Sequence, residues 1–207
     1  MKSRRLTRVS ALLMVLSALE LHGGSQPQAS EPEVLLRETL DEVLDAAYPQ
    51  KAVSGGTGLE ERALPILEKA FDFGAITRRA IGPGWRQFSE DERRRSIREF
   101  RDLVVHTYAS RIRGDERPRI TYGTPERQSE DRCDVPTRLL YDGETYAVEY
   151  RMERHAGAWR VTDVVIEGIS FVSNYRAQFD GIMQRGGSSA VIQAIESRLA
   201  KTAEGKP

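Results

Sequence analysis

The chain is short of most things that would announce a chemistry. It has a single cysteine, Cys133, in 207 residues, so no intramolecular disulfide is possible. Histidines number three, and no P-loop, GxGxxG, GxSxG, HExxH or CxxC occurs. Nucleotide-binding, zinc-protease and serine-hydrolase readings therefore have nothing to start from. Charge of one sign is also lacking: 31 basic residues face 31 acidic ones. Arg93-Arg94-Arg95 is the densest basic run, but Glu90, Asp91, Glu92 and Glu99 surround it. It reads as a solvated helix face, not a surface for nucleic acid or anionic headgroups. Past residue 30 no apolar run is long enough to cross a membrane.

The first thirty residues have a different texture. Lys2, Arg4, Arg5 and Arg8 precede the apolar run Val9 to Leu19, and a Gly/Ser/Gln/Pro stretch follows. Eleven apolar residues are too few to span a bilayer, which takes about 20. The pattern predicts a cleaved signal peptide over residues 1–30. No cysteine lies near the cleavage region, so a lipoprotein anchor is excluded. Cleavage removes four of the basic residues and one of the acidic ones, leaving a net charge near −3. Residues 31–207 suit a single domain, whose core is large enough to need no disulfide.

Helical spacing comes first. Val34, Leu35, Leu40, Val43, Leu44 and Ala47 predict a helix ended by Pro49. Gly55 to Gly58 reads as a loop. A second helix carries Leu64, Leu67 and Ala70, with Pro65 in its first turn. A third covers Phe71 to Ile81, closed by Gly82-Pro83-Gly84. Ser89 and Glu92 form a capping box for a long helix to about Arg113, whose apolar stripe is Ile97, Phe100, Val104 and Tyr108.

From residue 117 the period becomes two. Short strands are predicted at Ile120–Tyr122, at Val135–Tyr141, at Tyr146–Met152 and at Trp159–Glu167, with Asp142-Gly143 as a hairpin turn. Two helices then close the chain, about 171–184 and 188–201, split by Gly186-Gly187. The order is helices, a curved antiparallel sheet of about four strands, then helices: an α+β domain. A twisted sheet with helices on one side makes a cone, which is a pocket if side chains do not fill it.

Four residues invite a chemical role. His106 lies beside the stripe of the long helix and reads as an exposed helix residue. His155 lies in a turn, and neither histidine has metal-ligand partners at a spacing that falls on one face. Cys133 reads as a half-buried strand residue. Asp163 is the one acid inside an otherwise apolar strand. It is either a general base of a small cone-fold enzyme or a carboxylate paired with an Arg or backbone N–H groups, and the second reading is preferred.

Two blocks carry a family resemblance. The first is FDFGAITRRAIGPGWRQFSEDERRRSIREFRDLVVHTYASRI, residues 71 to 112, with Asp72-Phe73, Ile81-Gly82, Trp85, Phe100 and Tyr108-Ala109-Ser110. The second is WRVTDVVIEGISFVSNYRAQF, residues 159 to 179. Together they resemble the MlaC family, also called the Ttg2D or toluene-tolerance family of periplasmic phospholipid carriers, over roughly residues 33 to 200. The acidic cap Glu90-Asp91-Glu92 and the charged segment Gly114 to Arg119 depart from the family's pattern.

The resemblance implies an NTF2-like, cone-shaped domain enclosing an empty apolar pocket. It implies a monomeric, periplasmic carrier of a diacyl phospholipid, or of a hopanoid as in another branch, with no cofactor, metal or catalytic residue. Its partners would be an inner-membrane ABC transporter complex and an outer-membrane lipoprotein/porin complex. The residues placed on the pocket wall are Phe73, Trp85, Phe100, Val104, Tyr108, Val148, Tyr150, Val164, Ile166, Ile169, Phe171 and Tyr175. Arg176 is the headgroup candidate, or else pairs with Asp163 or Glu167.

Overall fold

A computed structural model describes residues 31–49, 58–109 and 116–203. The predicted signal peptide and the loop over residues 55–57 lie outside them. Among the described residues five α-helices, one 3-10 helix and six strands follow in the order α1 (Glu31–Ala47), α2 (Leu59–Ala70), α3 (Phe73–Ile81), the 3-10 helix (Gly82–Gln87), α4 (Glu90–Ala109), β1 (Arg119–Tyr122), β2 (Glu126–Ser129), β3 (Arg132–Tyr141), β4 (Glu144–His155), β5 (Ala158–Ile166), β6 (Ile169–Ser170) and α5 (Phe171–Ala203).

Side-chain caps set the starts of α3 and α4. Asp72 accepts from the Ala75 N–H at 2.7 Å, so α3 begins at Phe73 and not at Phe71 as the spacing predicts. Phe71 instead pairs with Val161 of β5. The capping box before α4 forms in both directions: the Ser89 N–H donates to Glu92 at 2.8 Å, and the Glu92 N–H donates to Ser89 Oγ at 3.3 Å. Helix α2 starts five residues before Leu64, so Pro65 sits inside it and not in its first turn. That position deprives the Glu61 carbonyl of its usual partner. Helix α5 breaks where expected, at Gly187, whose φ of 66° and ψ of −159° leave the helical region.

The sheet is antiparallel, ordered β1-β3-β4-β5-β6, with β2 also on β3. Four two-residue turns connect its strands, and three of them, Asp142-Gly143, Ala156-Gly157 and Glu167-Gly168, have positive φ at both positions. The sheet has six strands where the alternation predicts about four. Strand β2, ERQS, is exposed at every residue and has no apolar side chain, so no apolar pattern marks it. It is separated from β1 opposite Pro136, which has no N–H to give to a ladder. Strand β6 is two residues long.

Apolar side chains gather in two clusters. One joins α3, α4 and α5 through Phe73, Ile81, Phe100, Leu103, Phe179, Val191 and Ile195. The other joins α1 to the sheet through Leu36, Cys133, Val135, Met152, Trp159 and Val161. Cys133 is fully buried there, deeper than the strand pattern suggests, and burial pushes its thiol up. Phe71 packs against both clusters.

Candidate functional site: an apolar cavity between α1, α2, α4 and the sheet

Between the two clusters the molecule is hollow. The cavity holds about 370 Å³, within the range of about 300–1,000 Å³ for small-molecule sites. Each wall follows from a period. On α1, Leu40, Val43 and Leu44 face it, and on α2, Leu59, Ala63 and Leu67, spaced three and four apart. On α4 it meets Val104, Val105, Tyr108 and Ala109. The strands contribute alternate residues: Leu139 and Tyr141 of β3, Val148 and Tyr150 of β4, Val164 and Ile166 of β5. Phe71, Phe73 and Ile76 lie on the wall beside the α2–α3 junction, and Phe171 lies at the start of α5.

The sheet wall combines β-branched residues with Leu139, Tyr141 and Tyr150, and the helix wall is mostly Leu, Val and Ala. Phe100, Tyr175 and Phe179 stand outside that wall. Phe100 contacts Phe171, Tyr175 and Phe179 with ring centroids 4.8–5.9 Å apart, and this cluster fills the space between α4 and α5. Stacking adds to the burial of each ring. Among the described residues the cavity wall carries one charged side chain, Asp163.

Asp163 is fully engaged. Oδ1 accepts from the Val164 N–H at 2.9 Å and from the Val172 N–H at 3.0 Å. Oδ2 accepts from Ser170 Oγ at 2.6 Å and from Arg151 at 3.4 Å. Ser170 Oγ in turn accepts from the Ser173 N–H at 3.0 Å. The carboxylate thus ties β5 to the first turn of α5 and fixes Phe171 at the wall. Four donors leave no lone pair directed at a substrate, which matches the paired-carboxylate reading of its sequence position.

Eight of the twelve residues assigned to the wall from sequence lie on it: Phe73, Val104, Tyr108, Val148, Tyr150, Val164, Ile166 and Phe171. Four do not. Phe100 and Tyr175 belong to the aromatic cluster just described. Trp85 stacks on Phe88 at 5.4 Å, with the Arg93 guanidinium over its ring. Ile169 is solvent-exposed. Sequence reasoning missed the α1 and α2 wall altogether, though the stripe Leu40, Val43, Leu44 was visible. It also missed Ile120, Leu139 and Tyr141, whose alternation was equally plain.

Arg176, the headgroup candidate, lies outside the wall. It is exposed and lies against Gly82, where an added Cβ would sit 2.9 Å from its Nε. It is not on the cavity wall, and Arg151 takes the place it was offered beside Asp163. His106 is not a free exposed residue: its Nδ1 lies 3.2 Å from Glu60, joining α4 to α2. His155 lies between Asp72 at 2.9 Å and Glu153 at 3.4 Å. Burial alone would raise the Asp72 carboxyl, but the Ala75 N–H and His155 outweigh it and hold it below the usual range. Tyr150 on the wall and Tyr122 behind it are both raised by burial, Tyr122 to about 12, so both phenols stay neutral. Among the described residues no group of His, Cys, Asp and Glu is placed to hold a metal ion, and no helix is long and apolar enough to cross a membrane.

The family model described as MlaC protein matches residues 37–197. The chain is 25% identical over 199 residues to the toluene tolerance protein ttg2D of Pseudomonas putida, covering 94% of this chain and 91% of that one. Its fold is that of a phospholipid-binding protein of Ralstonia solanacearum solved in complex with a phospholipid: the TM-score is 0.74 at 22% identity, over 84% of this chain and 99% of the other.

Proposed function

The chain belongs to the MlaC protein family, and from that premise we propose that it is a periplasmic carrier of phospholipid. It is exported by its N-terminal thirty residues. It moves lipid between an inner-membrane ABC transporter complex and an outer-membrane lipoprotein/porin complex. The single observation that carries this reading is the cavity: about 370 Å³ of nearly apolar space in which the one carboxylate is already saturated by protein donors. Such a space repels water and polar substrates and favours hydrocarbon. The protein of like fold solved in complex with a phospholipid supports the same ligand.

No bond needs to be made or broken. The task is to keep acyl chains out of water during transit. Each buried CH₂ is worth about 0.8 kcal/mol, so even half of a long chain contributes several kcal/mol. Escape into water is then slow, and handover requires docking to a partner that opens the site. The wall residues that do the holding are Phe73, Val104, Tyr108, Val148, Tyr150, Val164, Ile166 and Phe171, with the unforeseen α1 and α2 side chains opposite them.

Native mass spectrometry of mature protein, taken from a periplasmic extract without detergent and followed by organic extraction, tests the proposal. A bound mass that resolves into phospholipid is expected. A bare protein, still bare after incubation with phospholipid vesicles, overturns it.

A further inference from the structure

The four walls of the cavity are not anchored alike. Helix α1 is fixed in the sheet cluster by Leu36, and α4 in the aromatic core by Phe100, both fully buried. The sheet is fixed by Val135, Met152 and Val161. Helix α2 has no such anchor. Of its 12 residues only Ala63 and Ala70 are buried, and both are small. Its larger side chains Leu59, Leu64 and Leu67 are half-buried, and Leu59 and Leu67 face the cavity. The next helix, α3, buries six residues out of 9, Phe73 and Ile81 among them. Moving α2 outward therefore gives up little packed apolar surface. Elements held this lightly are the ones that open locally.

The two ends of α2 differ as a hinge differs from a latch. The C-terminal end is strapped to the sheet. There the Asp72 N–H donates to the Val161 carbonyl at 2.9 Å, and Phe71 bridges to Val161. The Arg160 guanidinium donates to the Glu68 carbonyl at 3.0 Å and to the Lys69 carbonyl. Arg101 of α4 pairs with the Glu68 carboxylate at 2.5 Å. The N-terminal end starts at Gly58 without a side-chain cap. It is tied by partly exposed polar contacts: Glu60 meets His106 of α4 at 3.2 Å, and Arg62 donates to the Ala46 carbonyl at the end of α1 at 3.0 Å. Pro65 lies midway and removes the amide that would bond the Glu61 carbonyl, which eases a bend at that point. We propose that α2 is a lid over the cavity, hinged at Phe71-Asp72 with a bend at Pro65, and latched to α4 by the Glu60–His106 pair. The inference rests on the carrier reading. It deepens it by naming the wall that moves when lipid enters and leaves.

The test follows transfer of a pyrene-labelled phosphatidylglycerol from the mature protein to phosphatidylcholine vesicles. In E60C/H106C, loaded first, a bifunctional methanethiosulfonate then joins α2 to α4, Cys133 being fully buried. In R95C/E196C the same reagent takes the place of another ion pair of α4, the 2.5 Å one it makes with α5. The 60–106 bridge is expected to slow transfer at least about tenfold, and reductant to restore it, as for any lid held shut. The 95–196 bridge is expected to leave transfer within about twofold, since it spans elements that stay packed. Unimpaired transfer with the 60–106 bridge overturns the lid. So does equal slowing by both bridges, which would reflect general stiffening. A second variant needs no bridge. Glu60→Gln keeps the shape of the latch and removes its charge, so uptake and release should both quicken about two- to fivefold while affinity holds, the size of effect an exposed ion pair has. Changed affinity at unchanged rates, or no change in either, counts against the proposal. If the wild-type protein neither takes up nor releases the lipid, the carrier reading itself falls.

Discussion

Helix α4 runs through two environments along one apolar stripe. At Phe100 the stripe is in a filled core: the side chain is fully buried, with three aromatic rings around it. One turn on, at Val104, and two turns on, at Tyr108, the same stripe faces empty space. The residue types do not differ in kind, and neither does the spacing. What differs is what stands opposite. Phe100 meets the aromatic side chains of α5, which reach across, whereas Val104 faces a cavity whose other walls, α1, α2 and the sheet, are held apart at both ends. One end is held by Leu36 in the sheet cluster and by the Phe71–Val161 pairing. The other is held by Asp163, which pins the start of α5. A cavity of this kind persists because its rims are packed, not because its walls repel each other.

The largest expected effect lies in the filled half. Phe100→Ala removes a fully buried ring from a cluster that cannot collapse around it, and should cost about 3–5 kcal/mol of unfolding free energy. Val104→Ala, one turn away, trims a wall that already faces space, and should cost about 1 kcal/mol or less. Denaturant unfolding of the ligand-free variants measures both. Equal losses would mean that α4 is packed alike along its length.

That contrast also marks what was legible in the sequence. The elements were: the cap at Ser89, the hairpin turn at Asp142-Gly143, the break at Gly187 and the change from helical to strand period all leave local marks. Which face of each element points inward was legible too, from Val148, Tyr150, Val164 and Ile166. Occupancy was not. Phe100, Val104, Tyr108, Phe171 and Tyr175 all lie on inward faces, and only tertiary packing decides that Phe100 and Tyr175 fill one side while the others line a void. Helix α2 was read five residues short because Pro65 looked like a start, and a proline inside a helix is tolerated only when the surroundings hold it. Strand β2 had no side-chain pattern to read.

A second pair of substitutions sharpens the comparison by adding volume. Val191→Trp forces an indole into the filled cluster, where Val191 is fully buried, and overpacking there should cost about 1–3 kcal/mol. Val164→Trp puts the same ring into the cavity, where there is room for it. Its melting temperature should fall little or even rise, while phospholipid binding drops at least about tenfold, since the ring occupies the space of several methylenes. Comparable destabilisation by both would show that the hollow half closes up in solution.

The smallest effect concerns the boundary between the halves. Asp72 stands between α2, which lines the cavity, and α3, which packs the core. It caps α3 and holds His155 of the β4–β5 turn. Its carboxyl lies below the ordinary range, against the pull of burial, because the Ala75 N–H and His155 favour the charged form. A group whose pKa is lower in the folded chain than in the unfolded chain stabilises the fold above the unfolded value, near 4, and loses that contribution as pH falls through the folded one. Glu153, held low chiefly by Arg79 against the same burial, behaves alike. Asp72→Asn keeps a capping acceptor but removes the charge, so it should cost less than about 1 kcal/mol at pH 7. The decisive quantity is the pH dependence of that cost. Urea midpoints of wild type and variant should converge as pH is lowered from 6 to 3, because the wild-type carboxylate is then protonated as well. A gap that stays constant over that range would show that the boundary is held by shape and not by charge.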